Sequence, residues 1–186
     1  MFTGIIKKIG DIKSWDKKKR IISIKSNFSK LISGESISCS GVCLTVTEFE
    51  KDVFHSNLSS ETISKTNLKY KKIGDKLNLE KSLKVGDDLS GHLVFGHIDG
   101  LSKLEKIKND KDCWILRFSL SKELIKFLTE KCSISIDGIS LTVNNLYKNT
   151  FEVSIVPHTW ENTILKFSKE GDFFNIEIDM LSRYVF

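Results

Sequence analysis

Long apolar runs are missing from this 186-residue chain. No stretch approaches the roughly 20 consecutive apolar residues that a membrane-spanning helix needs. The opening letters, MFTGIIKKIGD, also lack the apolar run that forms the core of a secretory signal peptide. These absences argue against a membrane protein, and we expect the chain to work in the cytoplasm.

Paired cysteines and clustered charge are missing too. Cys39, Cys43, Cys113 and Cys132 show no CxxC spacing, and cytosolic proteins seldom keep disulfides, so we predict four free thiols and no zinc site. The net charge of +5 comes mostly from lysines scattered among acidic neighbours. Such a pattern is typical of a solvated surface, whereas a nucleic-acid interface needs a basic face with interleaved aromatic residues.

The sequence does contain an internal repeat. When the chain is shifted by 97 positions, residues 34–80 align with residues 131–177 without a gap, and 18 of the 47 pairs are identical. Roughly three identities are expected by chance at ordinary composition. The beginnings match at a shift of 92, with GIIKKIG from Gly4 against GHIDGLS from Gly96. We therefore predict two related domains, residues 1–88 and residues 89–186.

Short alternating runs dominate each copy. Segments such as RIISIKS, VCLTVTEF and TFEVSIV are four to eight residues long and are separated by turn signals, which is typical of antiparallel strands. Only SKELIKFLTE and FSKLIS have apolar residues at helical spacing. The pattern predicts an all-β protein in which each half is a small β-barrel with one short helix.

The hexapeptide GVCLTV of the first copy returns as GISLTV in the second, with Ser140 in place of Cys43. Side chains alternate along a strand, so Cys43 should point away from the core, opposite to Leu44. The alternative, a cysteine buried as a small apolar residue, is the usual fate of a free thiol and remains open for Cys43. Cys39 shares the apolar parity of Ile37 and should lie in the core.

Several motifs occur in an order that resembles one enzyme family. MFTGII, GVCLTV, GHLVFGHIDG, DGISLTV, PHTWENT and NIEID are similar to the corresponding segments of riboflavin synthases, from Met1 to about Tyr184. The resemblance implies two homologous six-stranded Greek-key barrels in tandem, with a C-terminal helix largely missing because the chain stops at MLSRYVF. It also implies that two molecules of 6,7-dimethyl-8-ribityllumazine are converted to riboflavin and 5-amino-6-ribitylaminouracil.

The resemblance assigns substrate-binding residues to both copies and implies no cofactor and no metal. In the first copy they are Gly4, Ile5, Ile6, Ser36, Cys43, Leu44, Thr45, Asn57, Leu58, Ser59, Ser60, Glu61 and Thr62. In the second copy they are Gly96, His97, Ile98, Lys131, Ser140, Leu141, Thr142, Ser154, Ile155, Val156, Pro157, His158 and Thr159.

Three of these residues are the candidates for chemistry. His97 is favoured for proton transfer because an imidazole titrates near neutral pH, although it could instead serve only as a hydrogen-bonding group at a strand end. Cys43 could act as a nucleophile, as a proton relay or only through packing. Ser140 is its counterpart in the second copy.

The resemblance further implies a homo-oligomer, a trimer, with active sites between neighbouring chains, and it makes lumazine synthase a candidate partner. Two other readings remain. Lumazine proteins share the fold and bind a lumazine or flavin without catalysis, and retention of Cys43 and GHIDG argues for the enzyme. An oligonucleotide-binding barrel would fit the charge, but the chain lacks a clustered basic and aromatic face.

Overall fold

The computed structural model describes residues 1–185, which form a curled seven-stranded sheet, called the first barrel below, and a closed six-stranded barrel. The first copy contains the elements β1 Lys8–Asp16, β2 Ile21–Lys25, β3 Ser36–Cys39, β4 Val42–Thr45, β5 Glu48–Glu50, β6 Val53–Asn57, α1 Ser60–Lys65 and β7 Lys76–Lys81. The second copy contains β8 Gly100–Asp110, β9 Cys113–Ser119, α2 Lys122–Ile125, β10 Ser133–Ile136, β11 Ile139–Leu146, β12 Thr150–Ile155, α3 Pro157–Asn162, β13 Phe173–Ile178 and α4 Met180–Val185.

The second barrel is closed, in the order β10-β11-β12-β9-β8-β13, with β13 paired back to β10. The connection from β9 to β10 passes over two strands, so the order is a Greek key. Asp137 and Gly138 form the two-residue turn between β10 and β11, both with positive φ. The sequence DG favours this turn because its left-handed backbone matches the strand twist.

The first barrel repeats this order, but one strand is broken into two pieces. The residues equivalent to β11 form β4 and β5, so that the sheet has seven strands, with β4 and β5 at its two edges. Ser56 Oγ donates to the carbonyl of Thr45 at 2.8 Å and Thr47 N donates to the carbonyl of His55 at 2.9 Å, which bridges the gap. In β11 the same place is a β-bulge between Val143 and Asn145. The predicted pair of homologous barrels is confirmed.

The helices differ in position from the helical patterns in the sequence. The short helix that both copies share is α1 in one and α3 in the other, each following the last strand of a hairpin. Within SKELIKFLTE only Lys122–Ile125 is helical. The helix considered for FSKLIS is wrong, because residues 28–33 form an irregular loop in which Leu31 alone is buried. Among residues 1–185 no helix is long and apolar enough to cross a membrane.

Each copy has its own hydrophobic core. Phe54 is fully buried in the first core, whereas Phe118 stacks on Phe151 in the second at a centroid distance of 5.7 Å. The predicted alternation is confirmed, since Cys39 is fully buried and Cys43 is half-buried on the opposite face of its hairpin. All four cysteines are free thiols.

The segments that precede β1 and β8 are exchanged between the barrels. They cross at an antiparallel bridge in which Phe2 N donates to the carbonyl of Val94 at 2.7 Å. Beyond the bridge, Ile6 packs against the core of the second barrel and Ile98 packs against the core of the first. Neither barrel is therefore completed by its own copy, and the division at residue 88 stays a prediction.

A polar network on the pseudo-twofold axis joins the two copies. Asn78 Nδ2 donates to the carbonyl of Asp137 at 2.9 Å, and the equivalent Asn175 Nδ2 donates to the carbonyl of Ser40 at 2.8 Å. The hairpin turns meet here, because a Cβ added at Gly41 would lie 2.8 Å from the nitrogen of Gly138. Only glycine permits so close a backbone approach.

Candidate functional site

A cavity of about 550 Å³ opens beside Cys43, between the first barrel and the exchanged segment of the second copy. Its volume lies in the usual range for small-molecule sites, about 300–1,000 Å³. The lining residues are Val42, Cys43, Glu61, Thr62, Lys65, Thr66, Phe95, Gly96, His97, Ile98, Asp99, Glu177, Ile178, Met180 and Arg183. The two copies thus build one concave surface together.

The contact between Cys43 and Gly96 closes one wall of this cavity. Cys43 N donates to the carbonyl of Gly96 at 3.0 Å. Gly96 has φ +83° and a Cβ there would come within 2.5 Å of the Cys43 Cβ, so a side chain at this position would push the segment off the strand. Because Gly96 fixes the exchanged segment against β4, the exposed imidazole of His97 lies in the cavity beside Cys43.

The carboxylate of Glu177 holds this segment in place. It accepts hydrogen bonds from the backbone nitrogens of Phe95 at 2.6 Å, Gly96 at 2.8 Å and His97 at 3.1 Å. Burial raises the pKa of Glu177 to about 7, although the three N–H donors oppose the shift. The backbone of His97 is therefore positioned by a buried group whose charge varies near neutral pH.

The rim of the cavity carries both signs of charge. Arg183 of α4 forms an ion pair with Asp99, whose other oxygen accepts from Ile178 N at 2.8 Å. Lys65 and Glu61 of α1, which also line the cavity, form an exposed ion pair at 2.8 Å. Such a rim can contact polar groups at the edge of a ring while the apolar side chains cover its faces.

A pseudo-equivalent arrangement surrounds Ser140. Ser140 N donates to the carbonyl of Gly4 at 2.8 Å, and Glu80 accepts from the backbone nitrogens of Thr3 at 2.7 Å and Gly4 at 3.0 Å. The copies differ in their side chains, because Ser140 Oγ lies 2.7 Å from Nδ1 of the buried His92. Burial lowers the pKa of His92, which favours its neutral form.

In the structure, the segments that contain Gly4 and Gly96 each contact the strand of the other copy, whereas the sequence predicted contacts within each copy. Gly4 lies against Ser140 rather than Cys43, and Gly96 lies against Cys43 rather than Ser140. The predicted residues that meet in the first cavity are Cys43, Glu61, Thr62, Gly96, His97 and Ile98. Those that share exposed or half-exposed surface on the second barrel are Lys131, Ser140, Thr142, Ser154, Val156, Pro157, His158 and Thr159.

Four predicted binding residues have core side chains, namely Leu44, Leu58, Leu141 and Ile155. They can contribute only backbone groups to a ligand. The remaining predicted residues lie beside these regions. Ile5 N donates to Thr3 Oγ1 at 3.2 Å, and Ser36 pairs with Thr45. Asn57 to Ser60 lead from β6 into α1, where Ser59 Oγ accepts from Thr62 N at 2.9 Å.

Sequence reasoning missed several residues of the first cavity. Glu177 carries a detectable signal, since it is matched by Glu80 in the repeat and lies in the NIEID motif. Asp99 lies in the GHIDG motif. Arg183 and Met180 belong to α4, for which the repeat offers no counterpart. Within residues 1–185, no group of three or more His, Cys, Asp or Glu side chains is arranged to hold a metal ion.

Comparisons with known proteins agree with the doubled architecture. The family model described as the lumazine binding domain matches residues 3–82 and 95–179. Two crystal structures of LumP have the same fold: the complex with riboflavin has a TM-score of 0.87 at 23% identity, and the complex with 6,7-dimethyl-8-(1'-D-ribityl) lumazine has a TM-score of 0.84 at 22% identity. Each comparison covers 96% of this chain and 99% of the other. The chain therefore belongs to the lumazine binding domain family and contains two repeats of that domain.

Relatives named riboflavin synthase match over the whole chain. Those from Photobacterium leiognathi, Actinobacillus pleuropneumoniae and Bacillus subtilis are 40%, 37% and 35% identical, each over 100% of this chain and 87–88% of the relative. The chain belongs to the riboflavin synthase family, which is a family of transferase enzymes.

Proposed function

We propose that this protein is a riboflavin synthase that transfers a four-carbon unit from one 6,7-dimethyl-8-ribityllumazine to another. The products are riboflavin and 5-amino-6-ribitylaminouracil, so the reaction needs no second substrate. The observation that supports this proposal best is the repeated but unequal contact, Cys43 with Gly96 and Ser140 with Gly4. Two related sites suit two molecules of one substrate that take different parts in the reaction.

We propose the following roles for the candidate side chains. The C7 methyl group of the lumazine is unusually acidic, so the protein has mainly to orient the rings and move protons. His97 lies in the cavity beside Cys43 and is our candidate for proton transfer there. Ser140, hydrogen-bonded to His92, is the corresponding polar group of the second site.

The purified protein should convert dimethylribityllumazine alone into equal amounts of riboflavin and the pyrimidine, without added metal or nucleotide. Absorbance and flavin fluorescence measure both the rate and the stoichiometry. The second candidate function is that of a non-catalytic lumazine- or flavin-binding protein, which the fold shared with LumP favours. Tight binding of the lumazine without turnover would establish that function instead.

We further propose that the complete active site forms between two chains of a homotrimer in the cytoplasm. The surface around Thr142, Ser154 and His158 is exposed, so a second chain has access to it. A variant impaired at Cys43 and another impaired at Ser140 should regain activity when their subunits mix. No recovery in mixtures shown to exchange subunits would refute the shared site and leave the enzyme assignment standing. Lumazine synthase as a partner and the absence of a nucleic-acid ligand stay predictions.

A further inference from the structure

A second cavity, of about 470 Å³, lies on the pseudo-twofold axis away from the one beside Cys43. The two copies contribute equivalent positions to it, with Tyr70 matched by Phe167 and Lys76 matched by Phe173. None of its lining residues belongs to the cavity beside Cys43. The proposed reaction assigns no role to the residues of this cavity.

Aromatic side chains form part of the lining of this axial cavity, which also includes Lys71, Asp75, Lys76 and Asp172. Tyr70 stacks on Phe173 at a centroid distance of 5.4 Å, and Lys76 Nζ lies 5.5 Å from the centre of the Phe167 ring. These three rings are 53%, 44% and 54% exposed, respectively. Large aromatic side chains that stay accessible around one concavity are typical of a surface that binds a ligand.

The lining also includes a buried carboxyl group. Asp137 is 1% exposed, and its Oδ1 accepts from Asn175 N at 2.7 Å and from Asn67 Nδ2 at 3.0 Å. Its Oδ2 has only the long contact of 3.3 Å with the same Asn67 amide. Among the ion pairs of residues 1–185, none includes Asp137. One carboxyl oxygen therefore keeps capacity for a further donor.

We propose that the axial cavity binds a planar nitrogen heteroaromatic ring, which packs against the aromatic side chains of Tyr70 and Phe167 and donates a ring N–H to Asp137. The volume suits such a ring, since small-molecule pockets span about 300–1,000 Å³. Stacking on aromatic side chains tolerates many heterocycles, whereas a buried acceptor selects those with an N–H at the edge. The site is separate from the one beside Cys43 and does not depend on the proposed reaction.

Riboflavin is a suitable probe because its ring system is planar and has one imide N–H. In ¹⁵N–¹H spectra of the native chain, riboflavin should shift the amides of Gly74 and Gly171, which line the axial cavity, in a saturable way. Ribitol, which lacks the ring, should not shift them. Shifts at Gly96 report separately on the cavity beside Cys43.

The double variant Tyr70→Ala/Phe167→Ala should weaken the response at Gly74 and Gly171 by about tenfold or more. Tyr147→Ala is the matched control, since Tyr147 is also an exposed aromatic residue but lies outside this cavity. A saturable response that the control keeps and the double variant loses supports the site. No saturable shift at the two glycines, or an unchanged response in the double variant, overturns it, whatever happens at Gly96 or to turnover.

Discussion

The contact between Gly41 and Gly138 gives a sharp test of how the two barrels are joined. Gly41 has φ +82°, and an added Cβ would lie 2.8 Å from the nitrogen and 3.3 Å from the Cα of Gly138. Gly34 has nearly the same φ, +88°, yet an added Cβ there would meet nothing within 4 Å. Alanine at either position costs backbone strain, but only alanine at Gly41 collides with the other copy.

The two substitutions should therefore differ by the cost of the collision. A left-handed backbone costs about 1–2 kcal/mol for a residue with a Cβ, so Gly34→Ala should lower the free energy of unfolding by that amount. Overpacking adds about 1–3 kcal/mol. The added methyl group meets backbone atoms of Gly138, which cannot swing aside as a long side chain can. We expect Gly41→Ala to cost about 2–5 kcal/mol in total.

Urea unfolding of both variants, followed by tryptophan fluorescence, measures this difference. Equal m-values are required, because a changed slope would mean that the unfolding transition itself has changed. Gly138→Ala provides a second reading if Gly41→Ala does not fold, since its Cβ would lie 2.7 Å from the nitrogen of Gly41. Equal losses in the free energy of unfolding for Gly34→Ala, Gly41→Ala and Gly138→Ala would refute the close backbone contact.

Three other substitutions test the site, the core and the interface between the copies. Cys43→Ser should reduce turnover more than Cys39→Ser does, whereas Cys39→Ser should cost more stability because the Cys39 thiol is fully buried. Turnover rates and urea midpoints measure the two effects. Equal turnover rates for Cys43→Ser and the native chain would mean that Cys43 acts only through packing. Burial raises the pKa of Asp137 to about 7, whereas its pKa in the unfolded chain is roughly 4. The protonated carboxyl group therefore contributes fully to the free energy of unfolding below pH 4, and this contribution is lost as the pH rises to 7. Asp137→Asn should flatten that decline by up to about 4 kcal/mol, and a native-like slope would contradict it.

The repeat and the alternation of strands were accessible from the sequence. A fixed shift of 97 residues predicted two related barrels, and side-chain parity placed Cys39 in the core and Cys43 on the other face, as the structure shows. The helical spacing in FSKLIS led to the wrong prediction of a helix. The segment is a loop in which one residue, Leu31, is buried in the core. Helical periodicity over six residues is too short to distinguish these cases.

The exchange of segments could not be predicted from the repeat. Alignment at a fixed shift assigns Gly4 to the first copy and Gly96 to the second, but it does not say which strand each segment meets. Because the strands of Cys43 and Ser140 offer the same backbone nitrogen to a carbonyl, either pairing satisfies the same hydrogen bonds. The bridge between Phe2 and Val94 decides between them, since it makes the two segments cross on the axis.

The exchange explains why the two sites can be unequal although the barrels are alike. Glu177 and Glu80 hold equivalent segments, but the Glu177 segment brings His97 to Cys43, while the Glu80 segment brings Ile5 towards Ser140. The second site obtains its imidazole from His92 instead, which is buried and hydrogen-bonded to the Ser140 hydroxyl. One site therefore combines a thiol with an exposed imidazole, and the other combines a hydroxyl with a buried one. The repeat provides two similar frameworks, and single replacements within the exchanged segments and strands place different side chains in them.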